Sequence, residues 1–92
     1  MNTTKFACGK EPFTLEWASF FTLHGLDPQA NPITSSTWEV TGGVKGNEFI
    51  DGADTAVFLS GGTVGTLLVA KNTIQVDGGT YQDCRTLYVE IL

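Results

Sequence analysis

Between Asp51 and Asp83 the chain carries three turn signals, Asp51-Gly52, Ser60-Gly61-Gly62 and Asp77-Gly78-Gly79, each set between β-branched and apolar runs. Glycine reaches positive φ at no steric cost and aspartate bonds its own backbone, so such pairs between alternating segments mark the reversals of a strand meander. No catalytic motif occupies the runs between them. A structural or binding domain is expected rather than an enzyme, with its chemistry in its surfaces.

Period-two alternation recurs outside this stretch as well, and seven strand segments follow from it. The first covers about Thr4 to Cys8. The second runs from Phe13 to Leu23, where Phe13, Leu15 and Trp17 alternate and Phe20-Phe21 break the register as a β-bulge does. Gly25 to Pro32, with Asp27-Pro28 and Asn31-Pro32, reads as a loop, because proline lacks a ladder donor and holds its predecessor extended. The remaining segments are Ile33 to Thr41, Val44 to Ile50, Asp54 to Ser60, Thr66 to Val76 and Thr80 to Leu92. In the fifth, Val57 and Leu59 share one face, and Ala56 and Phe58 make the other apolar too. In the sixth, Leu68, Ala70, Asn72, Ile74 and Val76 share a face. The seventh turns Leu87, Val89 and Ile91 inward and Tyr88 and Glu90 outward, with Asp83 and Arg85 beyond the core.

Seven short strands with turns every eight to twelve residues predict an all-β, immunoglobulin-like antiparallel sandwich, although the Cys-Trp-Cys spacing of antibody domains is missing. A small barrel is the alternative architecture. We divide the chain into residues 1–12, an N-terminal arm or first strand, and residues 13–92, the sandwich. The closing strand, Thr86 to Leu92, is an apolar edge. Such edges invite pairing, so we expect another subunit to cover either this edge or the arm.

With 41% hydrophobic residues against 16% charged, the chain can build one core and is too apolar for disorder. Its formal charge of −5, with no Lys or Arg cluster, predicts no nucleic-acid partner and no anionic membrane partner. The apolar runs are too short for a membrane helix, and Met1 to Lys5 lacks a signal-peptide core, so neither is expected. Cys8 and Cys84 fall in the first and last strands, where a disulfide is geometrically open. Without a secretion signal we expect two small apolar thiols.

No site chemistry stands out. Gly61 to Thr66 lacks the Lys and the helix of a phosphate loop and reads as a hairpin. Asp51, Asp54 and Asp77 are too few for calcium and are explained by turn chemistry. His24 has no nucleophile elbow and is expected to be exposed or capping. Neither catalytic residue, metal nor cofactor is expected. Asn72, inside an apolar strand, predicts a buried amide that locks its neighbours. Trp17 and Trp38 read as core, the competing reading being an aromatic sugar platform. Phe20, Phe21, Phe58 and Tyr88 lie where the alternation breaks or on outer faces, and they are the candidate protein-interface residues.

From Trp17 onward the order of motifs is distinctive. Ser35-Ser36-Thr37-Trp38-Glu39-Val40 is followed by Phe58-Leu59-Ser60-Gly61-Gly62-Thr63-Val64-Gly65-Thr66, then by Asn72-Thr73-Ile74 and Arg85-Thr86-Leu87. The ordered set resembles the phage fiber-tail adaptor family, small immunoglobulin-like virion proteins of tailed bacteriophages. The first fifteen residues lie outside the resemblance, and Asp27 to Pro32 looks like an insertion in it. The resemblance implies a non-enzymatic virion component, made in the host cytoplasm and docked in several symmetric copies onto other phage structural proteins of the tail, neck, fiber or capsid. Joining tail or neck to fibers is the leading role. Head decoration is the alternative, and a small carbohydrate-binding module is the competitor from another class.

Overall fold

The computed structural model describes residues 2–92 and distributes them over two sheets. In chain order the elements are β1 (Asn2–Lys5), β2 (Lys10–Glu16), α1 (Ala18–His24), β3 (Ile33–Thr41), β4 (Val44–Asp51), β5 (Asp54–Ser60), β6 (Leu67–Val76), a 3₁₀ turn (Asp77–Gly79) and β7 (Tyr81–Ile91). One sheet has the order β1-β7-β6-β3 and the other β2-β5-β4. All ladders are antiparallel except β1 on β7, which is parallel. The orders β3-β6-β7 and β2-β5-β4 are those of strands C-F-G and B-E-D in the immunoglobulin sandwich, so the expected fold class holds.

The core forms where the alternations of the two sheets meet. Leu68, Ala70, Asn72, Ile74 and Val76 of β6 are all fully buried, as are Val57 and Leu59 of β5. Leu87, Val89 and Ile91 of β7 complete the same inner layer, while Tyr88 and Glu90 face out. Trp38 stands on β3, the position of the buried tryptophan in immunoglobulin domains.

Three expectations are overturned. The segment from Phe13 to Leu23 is not one bulged strand: β2 ends at Glu16 and α1 follows. Adjacent residues of a strand point to opposite faces, so Phe20 and Phe21 could not both enter one core from a strand. On a helix, Trp17, Phe20 and Phe21 stand at i, i+3 and i+4 on one face, and all three are buried. Gly25 then stops the helix in the left-handed region (φ 64°), and the Leu26 N–H reaches the Phe21 carbonyl at 2.8 Å in a Schellman closure.

Secondly, Ser60-Gly61-Gly62 does not make a hairpin. It carries the chain from β5 in one sheet to β6 in the other, whereas Asp51-Gly52 and Asp77-Gly78-Gly79 do close hairpins. Gly62 adopts φ 107°, and a Cβ there would stand 2.8 Å from the Ile91 side chain, so the crossing passes directly over the core.

Thirdly, the closing edge from Tyr88 to Ile91 is covered by the chain's own arm, so the expectation of another subunit there passes to the arm. β1 pairs with Tyr88 to Ile91 of β7, and the pairing continues as Leu92 N–H donates to the Lys5 carbonyl (2.8 Å) and Ala7 N–H to the Leu92 carbonyl (3.3 Å). Lys5 is 2% exposed, and its ammonium donates to the carbonyls of Phe6 and Gly61, each at 2.7 Å, which ties the arm to the sheet crossing. The arm is part of the fold.

Candidate docking faces

Asn72 is fully buried between the two sheets and binds the Trp17 indole, whereas the buried Trp38 indole N–H has no partner among the described residues. Asn72 Oδ1 accepts from Trp17 Nε1 (3.1 Å) and from Thr55 Oγ1 (2.6 Å), and its Nδ2 donates to Ser36 Oγ (2.9 Å) and to the Thr37 carbonyl (3.0 Å). The four partners come from β2's end, β5 and β3, so one amide joins both sheets. Antibody domains place a disulfide between strands B and F at this level. The expected lock is present, with side chains supplying three of its four contacts.

Trp17 and Trp38 are 1% and 3% exposed, so neither offers a sugar a stacking face. Phe20 and Phe21, two of the four candidate interface residues, are likewise inside, at 7% and 2%. The helical turn that was missed explains the correction: it rolls both rings into the core. His24, exposed on the last turn of α1, meets Phe20 edge-on and Tyr81 at a tilt, with centroids 4.7 and 5.1 Å away. Among the described residues no group of three or more His, Cys, Asp or Glu side chains converges as metal ligands. Among the described residues no helix is long and apolar enough to cross a membrane.

The other two candidates do face outward, on opposite sheets. Phe58 on β5 is half-buried against Phe49 of β4 in a T-shaped pair with centroids 5.8 Å apart, and Phe49 is 48% exposed. Tyr88 on β7 is 41% exposed and walls a shallow groove with Thr3, Thr4, Leu67 and Glu90.

A third face escaped the sequence reading. Four chain segments meet at one end of the sandwich: the turn after β1, the β3-β4 corner, the β5-β6 crossing and the end of β7. These segments carry five exposed apolar residues, Phe6 (70% exposed), Val64 (66%), Val44 (60%), Leu67 (55%) and Leu92 (46%). In sequence only Val44 and Val64 stand beside a glycine, whereas Phe6, Leu67 and Leu92 adjoin other apolar residues, and no local pattern groups the five. The opposite end carries α1 and the two aspartate hairpins.

Cys8 and Cys84 are unpaired, and both are exposed rather than buried. β1 and β7 are neighbours as expected, but Cys8 lies past Lys5, which pairs Ile91, while Cys84 is seven residues back along β7, about 23 Å of strand. A disulfide cannot span that.

A small sandwich locked at its centre, with exposed apolar groups at both ends and on the outer sheet faces, belongs to the class of protein-binding structural modules. The family model of the podophage GP4 fiber-tail adaptor protein gp77 matches residues 11–90, and the chain belongs to that family. It is therefore a component of the virion of a tailed bacteriophage, with other phage structural proteins as its partners. No curated protein matches the chain. The match begins at Glu11, so β1 and the turn after it lie outside it.

Proposed function

We propose that this chain is a passive, non-enzymatic adaptor that joins the tail or neck to the tail fibers in several symmetric copies, after synthesis in the host cytoplasm. The observation that carries the reading is that five exposed apolar residues, Phe6, Val44, Val64, Leu67 and Leu92, stand on the segments that meet at one end of the sandwich. Apolar side chains gathered this way on so small a protein mark a contact with another protein. The molecule measures 41 × 21 × 16 Å, so its end is far smaller than the about 800 Å² per partner of a stable interface. End contacts hold only when symmetry repeats them or when the sides join in. Phe58 with Phe49, and Tyr88, supply those lateral contacts in this reading. The negative charge keeps the copies off nucleic acid.

Quantitative mass spectrometry of purified particles tests the role. A copy number matching the tail ring supports the adaptor, a number scaling with the capsid lattice replaces it with head decoration, and absence from particles sinks both. The docking end is tested separately by the double substitution Phe6→Asp with Val64→Asp. Both side chains are exposed, so stability should change by no more than about 1 kcal/mol, while incorporation into particles should fall at least tenfold. Unchanged incorporation would remove this end from the interface.

A further inference from the structure

Strand β7 is eleven residues long, yet β1 covers only its last part, from Tyr88 to Ile91. The direction of the backbone groups in the uncovered part follows from alternation. Ile91 exchanges bonds with the β6 side, its N–H donating to the Thr66 carbonyl and its carbonyl accepting from Gly65 N–H, whereas Leu92 exchanges bonds with β1. The β6-β7 register runs without a shift from Glu90 back to Tyr81. The peptide groups of Gln82, Cys84 and Thr86 therefore point away from β6. Among the described residues no strand pairs with them. Cys84 N–H is instead occupied by the Asp83 carboxylate at 2.8 Å, a charged side chain folded over the edge's donor.

Beside this open edge lies a groove lined by Trp17, Ser19, Phe20, Leu23, Asp83 and Arg85. Leu23 is 78% exposed on its rim. The Arg85 guanidinium is already committed: it donates to the Glu16 carbonyl and lies over the Trp17 ring, 5.4 Å from the centroid. Asp83 is thus the free charge at the edge, on a chain of net charge −5.

We propose that residues 82–86 of β7 accept an extended segment of a partner protein as an added strand, parallel to β7 and collinear with β1. Its alternate side chains are apolar where they enter the α1 groove, and it carries a lysine or arginine opposite Asp83. The existing β1-β7 ladder fixes the direction and plane of the addition. The main-chain bonds supply affinity, and the groove with Asp83 supplies selectivity. Asp83 protects the edge in the free protein and exchanges its backbone partner for the incoming cation on binding. The source of the segment, a neighbouring virion protein, rests on the adaptor reading above. The edge itself does not.

The experiment uses the isolated full chain and a synthetic acetylated peptide, Val-Thr-Lys-Thr-Val-Thr-Val, whose lysine and valines share one face. By NMR hydrogen exchange, the amides of Gln82, Cys84 and Thr86 should be protected at least tenfold by excess peptide, with the β6 amides unchanged. Replacing the peptide lysine by glutamate should weaken binding at least tenfold, as should Thr86→Pro, which removes a donor that β6 does not use. An unchanged β6 spectrum shows that this variant is folded, and the peptide arms need no variant at all. Protection elsewhere, equal binding by the proline variant or the glutamate peptide, or the same protection from raising the concentration of this chain alone would overturn the proposal. Failure here leaves the particle count untouched, and failure of that count leaves peptide binding intact, so the two readings fall separately.

Discussion

A chain that begins at Phe13 is expected to show no cooperative thermal transition by circular dichroism. Removing residues 1–12 deletes β1, uncovers Tyr88 to Ile91 of β7, and takes away the buried Lys5 ammonium that holds the carbonyls of Phe6 and Gly61. It also deletes the first three pairs of β2 with β5, Lys10 with Ser60, Glu11 with Leu59 and Pro12 with Phe58. Each lost main-chain bond costs about 1 kcal/mol. The core surface that Ala7 and the buried Lys5 cover returns to water at about 25 cal/mol per Å² more. A domain of this size has only about 5–10 kcal/mol to lose. A transition within a few degrees of the intact chain would show that the arm is a dispensable appendage.

Asn72→Leu is expected to cost about 3 kcal/mol in urea denaturation, lowering the melting temperature by about 12–24 °C. Leucine has the branched outline of asparagine and leaves no cavity, but its methyl groups cannot stand where Asn72 holds partners at 2.6 to 3.1 Å, so lost hydrogen bonds and local crowding both contribute. The fully buried Thr55 hydroxyl keeps the Trp17 indole as its donor but loses its own acceptor, and the part-buried Thr37 carbonyl loses the Asn72 amide. Thr55→Val, which leaves Asn72 still bonded to Trp17, Ser36 and Thr37, should cost about 1 kcal/mol. Because both residues belong to one network, the double variant should cost less than the sum. Additive costs, or a loss under 1 kcal/mol for Asn72→Leu, would mean that the amide is a tolerated polar group rather than the joint between the sheets.

The immunoglobulin-like class was legible because β3, β5, β6 and β7 bury alternate residues, and alternation survives translation into sequence. Ile33–Thr41 and Asp54–Ser60 fall where the pattern placed them. The helix was legible too, in the spacing of Trp17, Phe20, Phe21 and His24, but that signal spans only two turns and was outweighed by the strand-like start at Phe13. Of the candidate interface residues, Phe58 and Tyr88 were placed on outer faces correctly because a strand's two faces differ by one residue. Phe20 and Phe21 were misplaced because the periodicity assumed for them was wrong.

Local chemistry by itself determined where this chain turns, which strand faces are apolar and that Asn72 must be satisfied inside. These depend on neighbours one to four residues away, or on the burial of a single group. The tertiary structure alone decided what the turns connect. Asp77-Gly78-Gly79 and Ser60-Gly61-Gly62 have the same glycine chemistry, yet the first returns β7 to β6 and the second sends the chain across to the other sheet. The difference lies in which partner buries the next strand's inner face. The same holds for β1 on β7, for the five apolar residues gathered at one end and for the open edge at residues 82–86. Each joins segments far apart in the chain, and no local propensity encodes a contact whose energy appears only when the two sheets have closed.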